Sequence, residues 1–421
     1  MTKIWNKKTI SWYFYDFATS LLIMNGTVYF SQWIVVENHV PDLWFSLTFI
    51  LSTALLVLIA PYFGVKVDTT GKRKYYLFIL TALIVLSGAL IEVFGRSVTD
   101  RNTRIILTLI AYGALNFFYQ LALLVYNTYL KDITEEKFFG KVSGFGGGIG
   151  TIGSIIGIIV TLPIVEGMIH LFGTGRINVF IPAAILCLVV SIPMLLISHR
   201  HQEKVFPADV DKQKNYFAIW AQIWHDLRNI SEYPGVTRML IAFYFFSDAI
   251  LTLQLYSAIY LDRILHIDDA LKIFIFFLVF GGFSVGAVFG GWLGDKFGQK
   301  KIMIQSLVLT ALTIFLISFT SKLSIYYILF ALFGLANGSV FATVRALFSV
   351  MIPYHKKGQF FGLYSLSERF ASIIGPAAWG ILVFLLPDRG NLNYRVAVFF
   401  MGLLILGAVA VLVKLKDPTR A

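Results

Sequence analysis

Two distant stretches of the sequence match each other: "GVKVDTTGKRK" (64–74) and "GWLGDKFGQKK" (291–301). They superpose without a gap, and each places an aspartate between glycines ahead of a cluster of cations. A motif that recurs with the same spacing predicts that the chain contains two halves of one architecture. The matched positions are Gly64 and Gly291, Asp68 and Asp295, Gly71 and Gly298, Lys74 and Lys301, with Lys72, Arg73 and Lys300 completing the two cation clusters.

The composition around these stretches is that of a membrane protein. Hydrophobic residues make up 57% of the 421 residues and charged residues only 14%, and the mean hydropathy is +0.77. A soluble domain carries about 25% charged residues. Apolar runs near 20 residues recur along the chain, which is the length of a membrane-spanning helix. We therefore predict an all-α, polytopic membrane protein.

The apolar runs predict twelve transmembrane helices, six in each half. An even number of spans places both termini on one side of the membrane. The spans are expected at 10–36, 42–65, 75–95, 104–130, 144–170, 177–198, 236–261, 270–293, 301–320, 323–351, 358–386 and 393–415.

The matching motifs divide these spans into two six-helix bundles, at 1–198 and 236–421, joined by a polar linker at 199–235. Parallel repeats of six helices are characteristic of major facilitator transporters. Within the linker, apolar residues recur at helical spacing from Phe217 to Ile230, which predicts an amphipathic helix in the membrane interface. A partner-binding helix is the alternative for this segment.

The basic residues indicate the orientation of the chain. The formal net charge is +12, but the lysines and arginines lie in short loops between apolar runs, which fits an anionic lipid surface better than a nucleic acid. Most of them, including both cation clusters, fall on the same face as the two termini. By the positive-inside rule this face is cytoplasmic, so we expect a multi-pass protein of the plasma (inner) membrane with both termini inside.

The paired motifs predict gating loops between the second and third span of each half. An aspartate at this position could cap a helix end, while the cations reach neighbouring helices and lipid headgroups. Breaking these contacts would let the two helix bundles move relative to each other. The alternative is that the lysines serve only to orient the protein in the membrane.

Patterns typical of soluble enzymes do occur, but in the wrong structural context. "GIGTIG" (148–153) and "GFSVG" (282–286) lie in apolar helices with no preceding strand, so they predict neither a dinucleotide site nor a nucleophile elbow. The glycines at 146, 150, 153 and 157 instead predict close helix packing. Cys187 is the single cysteine, which leaves no intrachain disulfide. We expect no enzyme activity, no cofactor and no metal site.

Two aspartates lie within the opening spans of the two halves. Asp16 is about six residues, or roughly 9 Å, from the cytoplasmic end of the first span, and Asp248 is roughly 18 Å into the seventh. An acid at such a depth must face water, pair with a cation or carry a proton. We predict a role in substrate binding or proton coupling for both residues, while an interfacial structural role remains the alternative for Asp16.

Other polar residues within the spans are weaker candidates for the same site. Arg345 lies near the cytoplasmic end of the tenth span, where its side chain could snorkel to the interface. Adjacent residues point about 100° apart on a helix, so Glu368 and Arg369 should pair with other helices. Arg345 with Glu368 and Arg369 with Asp248 are the predicted pairs. The fourth span carries a polar stripe that could join helices or line a pathway: Asn116, Gln120 and Asn127.

Several motifs resemble the vacuolar-effluxer-like family of the major facilitator superfamily, which includes autophagy-related vacuolar amino-acid exporters and bacterial members. They are "ISWYFYDFATS" (10–20), "VYNTYL" (125–130), "VSGFGGGIGTIGS" (142–154), "VRALFSVMIP" (344–353) and "FFGLYSLSERFASIIGP" (360–376). They run from the first span to the eleventh. The resemblance implies a facilitator fold of two six-helix bundles and export of a solute, with amino acids as the candidate class.

The predicted function is therefore secondary active transport of a small solute by alternating access, with protons as the coupling ion and export as the direction. A lipid or amphiphile transporter on the same fold is one alternative, and a non-transporting membrane scaffold or receptor is another. The expected partners are membrane lipids, a small-molecule substrate and protons, without nucleic acid. We expect a monomer.

Overall fold

The computed structural model describes residues 5–135, 138–171, 173–197, 220, 221, 224, 233–352, 367 and 372–415. These described residues form helices and no strand, which confirms the all-α prediction. The principal helices are α1 (Lys7–Asn25), α2 (Asp42–Thr70), α3 (Arg73–Ser97), α4 (Arg101–Thr128), α5 (Phe139–Val165), α6 (Phe180–Leu196), α7 (Pro234–Leu265), α8 (Asp269–Phe297), α9 (Gln299–Phe319), α10 (Leu323–Met351), α11 (Ile374–Leu385) and α12 (Leu392–Val413).

Ten of the described helices are long and apolar enough to cross a membrane, judged by length and composition. The remaining two are α1 and α11. Helix α1 continues through two π-helical segments, Gly26–Phe30 and Trp33–Glu37, so the helical path covers the whole predicted first span. Helix α11 is described only from Ile374, because the earlier part of its predicted span lies largely outside the described residues.

The contacts divide the chain into two compact units. Unit 1 comprises Met1–Ile34 and Leu51–Trp224, and unit 2 comprises Val35–Ile50 and His225–Ala421. In unit 1, α1 packs against α5 and α6, and α3 packs against α4. In unit 2, α10 packs against α8 and α9, and α12 packs against α7 and α9. The first turns of α2 are thus counted with unit 2 and the rest of that helix with unit 1.

The paired motifs differ from the predicted loops because most of each motif is helical. Gly64 and Asp68 lie in the last turns of α2, and Gly291 and Asp295 lie in the last turns of α8. The chain turns only at the second glycine of each motif, where Gly71 has φ +65° and Gly298 has φ +99°. Positive φ is costly for residues with a Cβ atom, so these two glycines end the helices.

The linker predicted at 199–235 is described at too few positions to test its amphipathic helix. Residues 220, 221 and 224 are described, together with 233 and those that follow it, and the rest of the linker lies outside the described residues.

Candidate functional site

Asp248 lies in the middle of α7 and is buried, with 1% of its surface exposed. Its Oδ2 atom accepts a hydrogen bond of 2.6 Å from the backbone N–H of Gly375, in the first turn of α11. The first amides of a helix have no partner within the helix and carry a partial positive charge. Asp248 therefore caps the described start of α11 with its carboxylate.

The second carboxylate oxygen of Asp248 lacks a comparable partner. Oδ1 is buried and accepts no hydrogen bond, although the backbone carbonyl of Asp248 accepts one of 2.7 Å from the Thr252 hydroxyl. A Cβ atom at Gly375 would collide with Thr252 Oγ1 and lie 3.1 Å from Oδ1. The glycine thus allows the start of α11 to approach α7 closely enough for the carboxylate to reach its amide.

Three other acids buried in described membrane helices each have a cation nearby. Glu92 also caps a neighbouring helix, since its Oε2 accepts from the N–H of Ile181 at 2.8 Å, but its Oε1 is paired with Arg96 at 3.1 Å. Asp269 lies 3.1 Å from the buried ammonium of Lys272. The carboxylate of Asp42 interacts electrostatically with the guanidinium of Arg263. A cation is thus the usual way in which this chain satisfies a buried structural acid.

Asp16 and Asp248 depart from that pattern. Neither has a salt bridge within the described part of the chain, and Asp16 makes no side-chain hydrogen bond there either. Asp16 is half-buried on α1, whereas Asp248 is buried. These two acids are the residues that the sequence singled out as candidates. The pairing predicted between Asp248 and Arg369 is not tested, because Arg369 lies outside the described residues.

The position of Asp16 is set by the packing of α1 against α5. A Cβ atom at Gly150 would lie 2.5 Å from Asp16 Oδ2, and one at Gly153 would collide with the backbone of Phe17. Gly146 and Gly157 make equally close approaches to Trp12 and Leu21, so the four glycines form one contact surface. The "GIGTIG" sequence lies within this helix, and the prediction that the glycines at 146, 150, 153 and 157 serve helix packing is confirmed, whereas Gly148 faces open space.

Helix α4 supplies the aromatic surroundings of Asp16. The ring of Tyr126 stacks on Trp12 with centroids 4.3 Å apart, and the Trp12 Nε1–H donates to the Tyr126 carbonyl at 3.0 Å. Tyr126 and Tyr119, two turns apart on α4, both lie within electrostatic range of the Asp16 carboxylate. The Tyr126 hydroxyl is buried and has no hydrogen-bond partner among the described residues.

The polar stripe predicted on α4 does not form one uniform surface. Asn116 is buried and donates to the Tyr112 carbonyl at 3.2 Å, Gln120 is half-buried, and Asn127 is exposed. The 100° step per residue places positions four and seven apart on the same side, but the helix passes from a packed to an open environment along its length. The three residues therefore lie in different environments, and Asn116 is already bonded to the backbone of its own helix.

The remaining candidates on α10 and α11 are not brought together by the described residues. Arg345 is exposed and forms no ion pair with any described residue. Its predicted partner Glu368 lies outside the described residues, so that pairing stays a prediction.

The cations of the paired motifs reach the ends of other helices, as predicted. Lys74 Nζ donates to the carbonyl of Leu196 at 3.0 Å, and Lys300 Nζ donates to the carbonyls of Val413 and Leu415 at 3.2 and 2.5 Å. Lys74 thus meets the C-terminus of α6 and Lys300 that of α12, where the helix dipole favours positive charge. Arg73 pairs with Asp132 at 2.9 Å.

Asp295 does not form the predicted helix cap, and the same prediction for Asp68 is not tested. Asp295 Oδ1 accepts from the Gln299 side-chain amide at 2.8 Å and not from a backbone N–H, because it lies within α8, where the backbone donors are already used. The side chain of Asp68 lies outside the described part of the structure. Lys72 and Lys301 are exposed.

Sequence reasoning missed a buried polar cluster in unit 2. Asp42 accepts from Tyr394 Oη at 2.8 Å and from Trp379 Nε1 at 3.2 Å, and Ser46 lies 2.5 Å from Tyr256 Oη. Asp42 directly follows a proline at the start of an apolar run, so it has the sequence context of an ordinary helix start. The partners are hundreds of positions away in the chain, and no local signal identifies them.

Among the described residues, no group of three or more His, Cys, Asp or Glu side chains lies together as a metal site would need. The buried Cys187 is unpaired there.

The chain has relatives among known proteins. The family description "Major Facilitator Superfamily" matches residues 239–421. An uncharacterised MFS-type transporter of Bacillus subtilis, YxiO, is 25% identical over 97% of this chain and 96% of its own length. Autophagy-related protein 22 of Saccharomyces cerevisiae is 26% identical over 47% of this chain, and the match spans only 39% of the yeast protein.

Solved structures extend the likeness to the whole fold. A D-xylose–proton symporter aligns with a TM-score of 0.74 at 15% identity, over 99% of this chain and 98% of the symporter. The nucleoside transporter NupG aligns with a TM-score of 0.68 at 13% identity, over 97% of this chain and 99% of the transporter. At this identity the likeness concerns the fold alone, and it confirms the predicted facilitator architecture.

Proposed function

We propose that this chain, a member of the major facilitator superfamily, is a proton-coupled secondary transporter that exports a small solute by alternating access. The observation that carries the proton coupling is the state of Asp248: a buried carboxylate with one oxygen bound to a helix amide and the other without a donor. Asp16 is the second candidate for the same chemistry.

A comparison of the desolvation and hydrogen-bond free energies favours a protonated Asp248 carboxyl over a permanently charged one. Removing an ion from water costs several kcal/mol even after the protein relaxes. One hydrogen bond to a charged group returns about 1.5–3 kcal/mol. The amide of Gly375, with a smaller contribution from the amide of Ile373, therefore offsets part of this cost, and no described cation supplies the rest. A proton on the free oxygen removes the charge and the need for a partner.

Such a group suits coupling because its preferred state depends on access to water. When the site is hydrated, the ionised form is solvated, and when the site closes, the proton is retained. A site that alternates between the two sides of a membrane would then bind a proton on one side and release it on the other. This behaviour is the basis of the proposed exchange of protons for solute.

Amino acids are the solute class that the family resemblance favours. The motifs from 10–20 to 360–376 resemble those of vacuolar amino-acid exporters, and the match to autophagy-related protein 22 agrees with that resemblance. Export from the cytoplasm across the plasma membrane, by a monomer with both termini inside, completes the proposal.

Transport in proteoliposomes tests the coupling. An imposed pH gradient should drive solute accumulation by the wild-type protein, and Asp248→Asn should abolish this accumulation while equilibrium exchange of solute survives. Asp16→Asn should give the same loss or a milder one, because more of the Asp16 surface than of the Asp248 surface is exposed. The matched control is Asp388→Asn, which neutralises an exposed acid between α11 and α12.

Two outcomes would contradict the proposal. A full response of Asp248→Asn to the gradient would exclude Asp248 as the coupling residue. A wild-type protein that transports without responding to any gradient would exclude proton coupling altogether.

A further inference from the structure

We infer that the segment Val35–Ile50, here called the α2 entry segment, is a detachable part of unit 2: Asp42 and Ser46 fasten it to α7, α11 and α12, and it leaves them during the transport cycle. This inference rests on the proposed transport function. It adds a conformational step in which neither Asp16 nor Asp248 takes part.

The α2 entry segment belongs to one unit, while the chain on both sides of it belongs to the other. Val35–Ile50 is part of unit 2, whereas Met1–Ile34 and Leu51–Trp224 are part of unit 1. Helix α2 is continuous from Asp42 to Thr70, so the second change of unit falls inside a helix. Opened backbone hydrogen bonds are costly in a bilayer. Detaching the segment through its side chains therefore costs less than breaking α2.

Asp42 holds the segment through both of its carboxylate oxygens. Oδ2 accepts a hydrogen bond from the Tyr394 hydroxyl at 2.8 Å, and Oδ1 accepts one from the Trp379 indole N–H at 3.2 Å. Arg263 adds an electrostatic attraction, and its Nη2 donates to the carbonyl of Val35 at 3.1 Å. Side chains of unit 2 make all of these contacts, so they can open without unwinding a helix.

Ser46, one turn further along α2, makes the second attachment. Its hydroxyl donates to the carbonyl of Asp42 at 2.9 Å, so the Tyr256 hydroxyl is the donor in the 2.5 Å bond between the two side chains. The ring of Phe45 meets that of Tyr256 edge to face, with centroids 5.7 Å apart. A Cβ atom at Gly380 would collide with Ser46 Oγ, so this glycine allows α11 to approach α2 closely. The two attachments lie on the same side of α2.

The surroundings of Asp42 make detachment inexpensive. Glu37, His39 and Pro41, which come shortly before it in the chain, are exposed. Asp42 lies in the first turn of α2, where the helix dipole favours a negative charge whether or not the carboxylate is bound to α11 and α12. Water and this dipole can therefore replace the lost hydrogen bonds, which keeps the attached and detached states close in free energy.

Thiol labelling of the purified full-length protein in detergent tests this inference. The parent variant is Ser46→Cys, whose buried thiol should react with a polar maleimide only when the segment detaches. Adding Asp42→Asn should speed labelling at position 46 by roughly tenfold to a hundredfold, because a charged acceptor is lost. Adding Asp388→Asn, which neutralises an exposed acid, should leave the rate unchanged. Cys187, buried in α6 of unit 1, is the internal control for unfolding.

The partner variant tests the same bond from the other side. Adding Tyr394→Phe to the parent removes the hydroxyl that binds Asp42, and it should speed labelling by roughly threefold to tenfold. Asp42→Asn and Tyr394→Phe together should have less than the product of their separate effects, because both remove one bond. If Asp42→Asn does not yield folded protein, Tyr394→Phe decides the question on its own.

A disulfide between α2 and α11 tests whether the cycle needs detachment. A Cβ atom at Gly380 would lie 3.0 Å from Ser46 Cβ, and a disulfide needs about 3.5–4.5 Å, so a small shift allows Ser46→Cys and Gly380→Cys to pair. Proteoliposomes loaded with a mixture of amino acids should exchange them when this double variant is reduced and not when it is oxidised. Each single variant should be insensitive to the oxidant.

Three results would overturn the inference: labelling at position 46 that both added variants leave unchanged, an equal acceleration at Cys187, or full exchange by the oxidised double variant. The labelling uses no solute and no pH gradient, so it decides on detachment even if proton-coupled transport fails. Faster labelling in a protein that exchanges no amino acid would keep the detachable segment and remove the proposed solute class.

Discussion

At the scale of single residues, two buried acids use the same geometry with different means of neutralisation. Glu92 and Asp248 each accept a hydrogen bond from an amide in the first turn of a neighbouring helix, at 2.8 and 2.6 Å. Glu92 has Arg96 one turn away on its own helix, and Asp248 has no cation among the described residues. The capping geometry alone therefore does not indicate function. The missing counter-charge separates the proposed coupling residue from a structural one.

The paired motifs allow a test with two adjacent lysines. Lys300→Gln should weaken the end of α12, because the Lys300 ammonium binds the carbonyls of Val413 and Leu415. A cation at a helix C-terminus contributes about 0.3–1 kcal/mol, so amide hydrogen exchange in the last turn of α12 should rise by roughly twofold to fivefold. Lys301→Gln is the control, since Lys301 is exposed and has no hydrogen bond to a described residue. Equal exchange in both variants would mean that the Lys300 contacts do not stabilise the helix.

At the scale of helices, glycines determine which surfaces meet. The α5 glycines at 146, 150, 153 and 157 lie against α1, and the α8 glycines at 282, 286 and 290 lie against α10. Lipid tails are as apolar as leucine side chains, so helix association in a membrane depends on close packing more than on hydrophobic burial. The "GFSVG" stretch of α8 belongs to such a surface, which explains its glycines without any catalytic role.

Two glycines on α5 test this packing. An alanine Cβ at Gly153 would overlap the backbone of Phe17, which cannot move as a side chain can, so Gly153→Ala should destabilise the fold by about 1–3 kcal/mol. Gly147 has open space around the same position, and Gly147→Ala should stabilise the helix by up to about 1 kcal/mol. Thermal unfolding in detergent should therefore shift the two melting temperatures in opposite directions. A similar shift in both would show that the α1–α5 contact is looser than described.

At the scale of the whole molecule, the chain consists of two units, and each contains the same pair of features: a lysine at a helix C-terminus and a glycine with positive φ that ends a helix. In unit 1, Lys74 holds the C-terminus of α6, and in unit 2, Lys300 holds the C-terminus of α12. Gly71 and Gly298 end the preceding helices with positive φ. The two cations come from neighbouring positions of the repeated motif, so the function of the contact is preserved with a shift of one residue. This agreement supports a common architecture for the two halves.

Cysteine labelling in intact cells tests the proposed orientation. Cys187 is buried and should react little with a polar maleimide, so the wild-type protein provides a low background. A cysteine in place of Thr70, at the exposed end of α2, should react only after the membrane is permeabilised. A cysteine in place of Asp388, between α11 and α12, should react from outside. Labelling of the Thr70 variant in intact cells would contradict the positive-inside assignment.

The sequence by itself determined the all-α class, the positions of the long apolar helices that the structure describes, the repeated motif and the glycine-mediated packing. These features depend on local properties, because the length of an apolar run reflects bilayer thickness and the spacing of glycines reflects the helical period. The two candidate acids were also visible as isolated charges in apolar runs. Only the tertiary structure decided how each acid is satisfied: Gly375 binds Asp248, and Trp379 and Tyr394 bind Asp42. Hydrogen-bond partners on distant helices depend on which helices pack together, and the local period of the sequence carries no information about that choice.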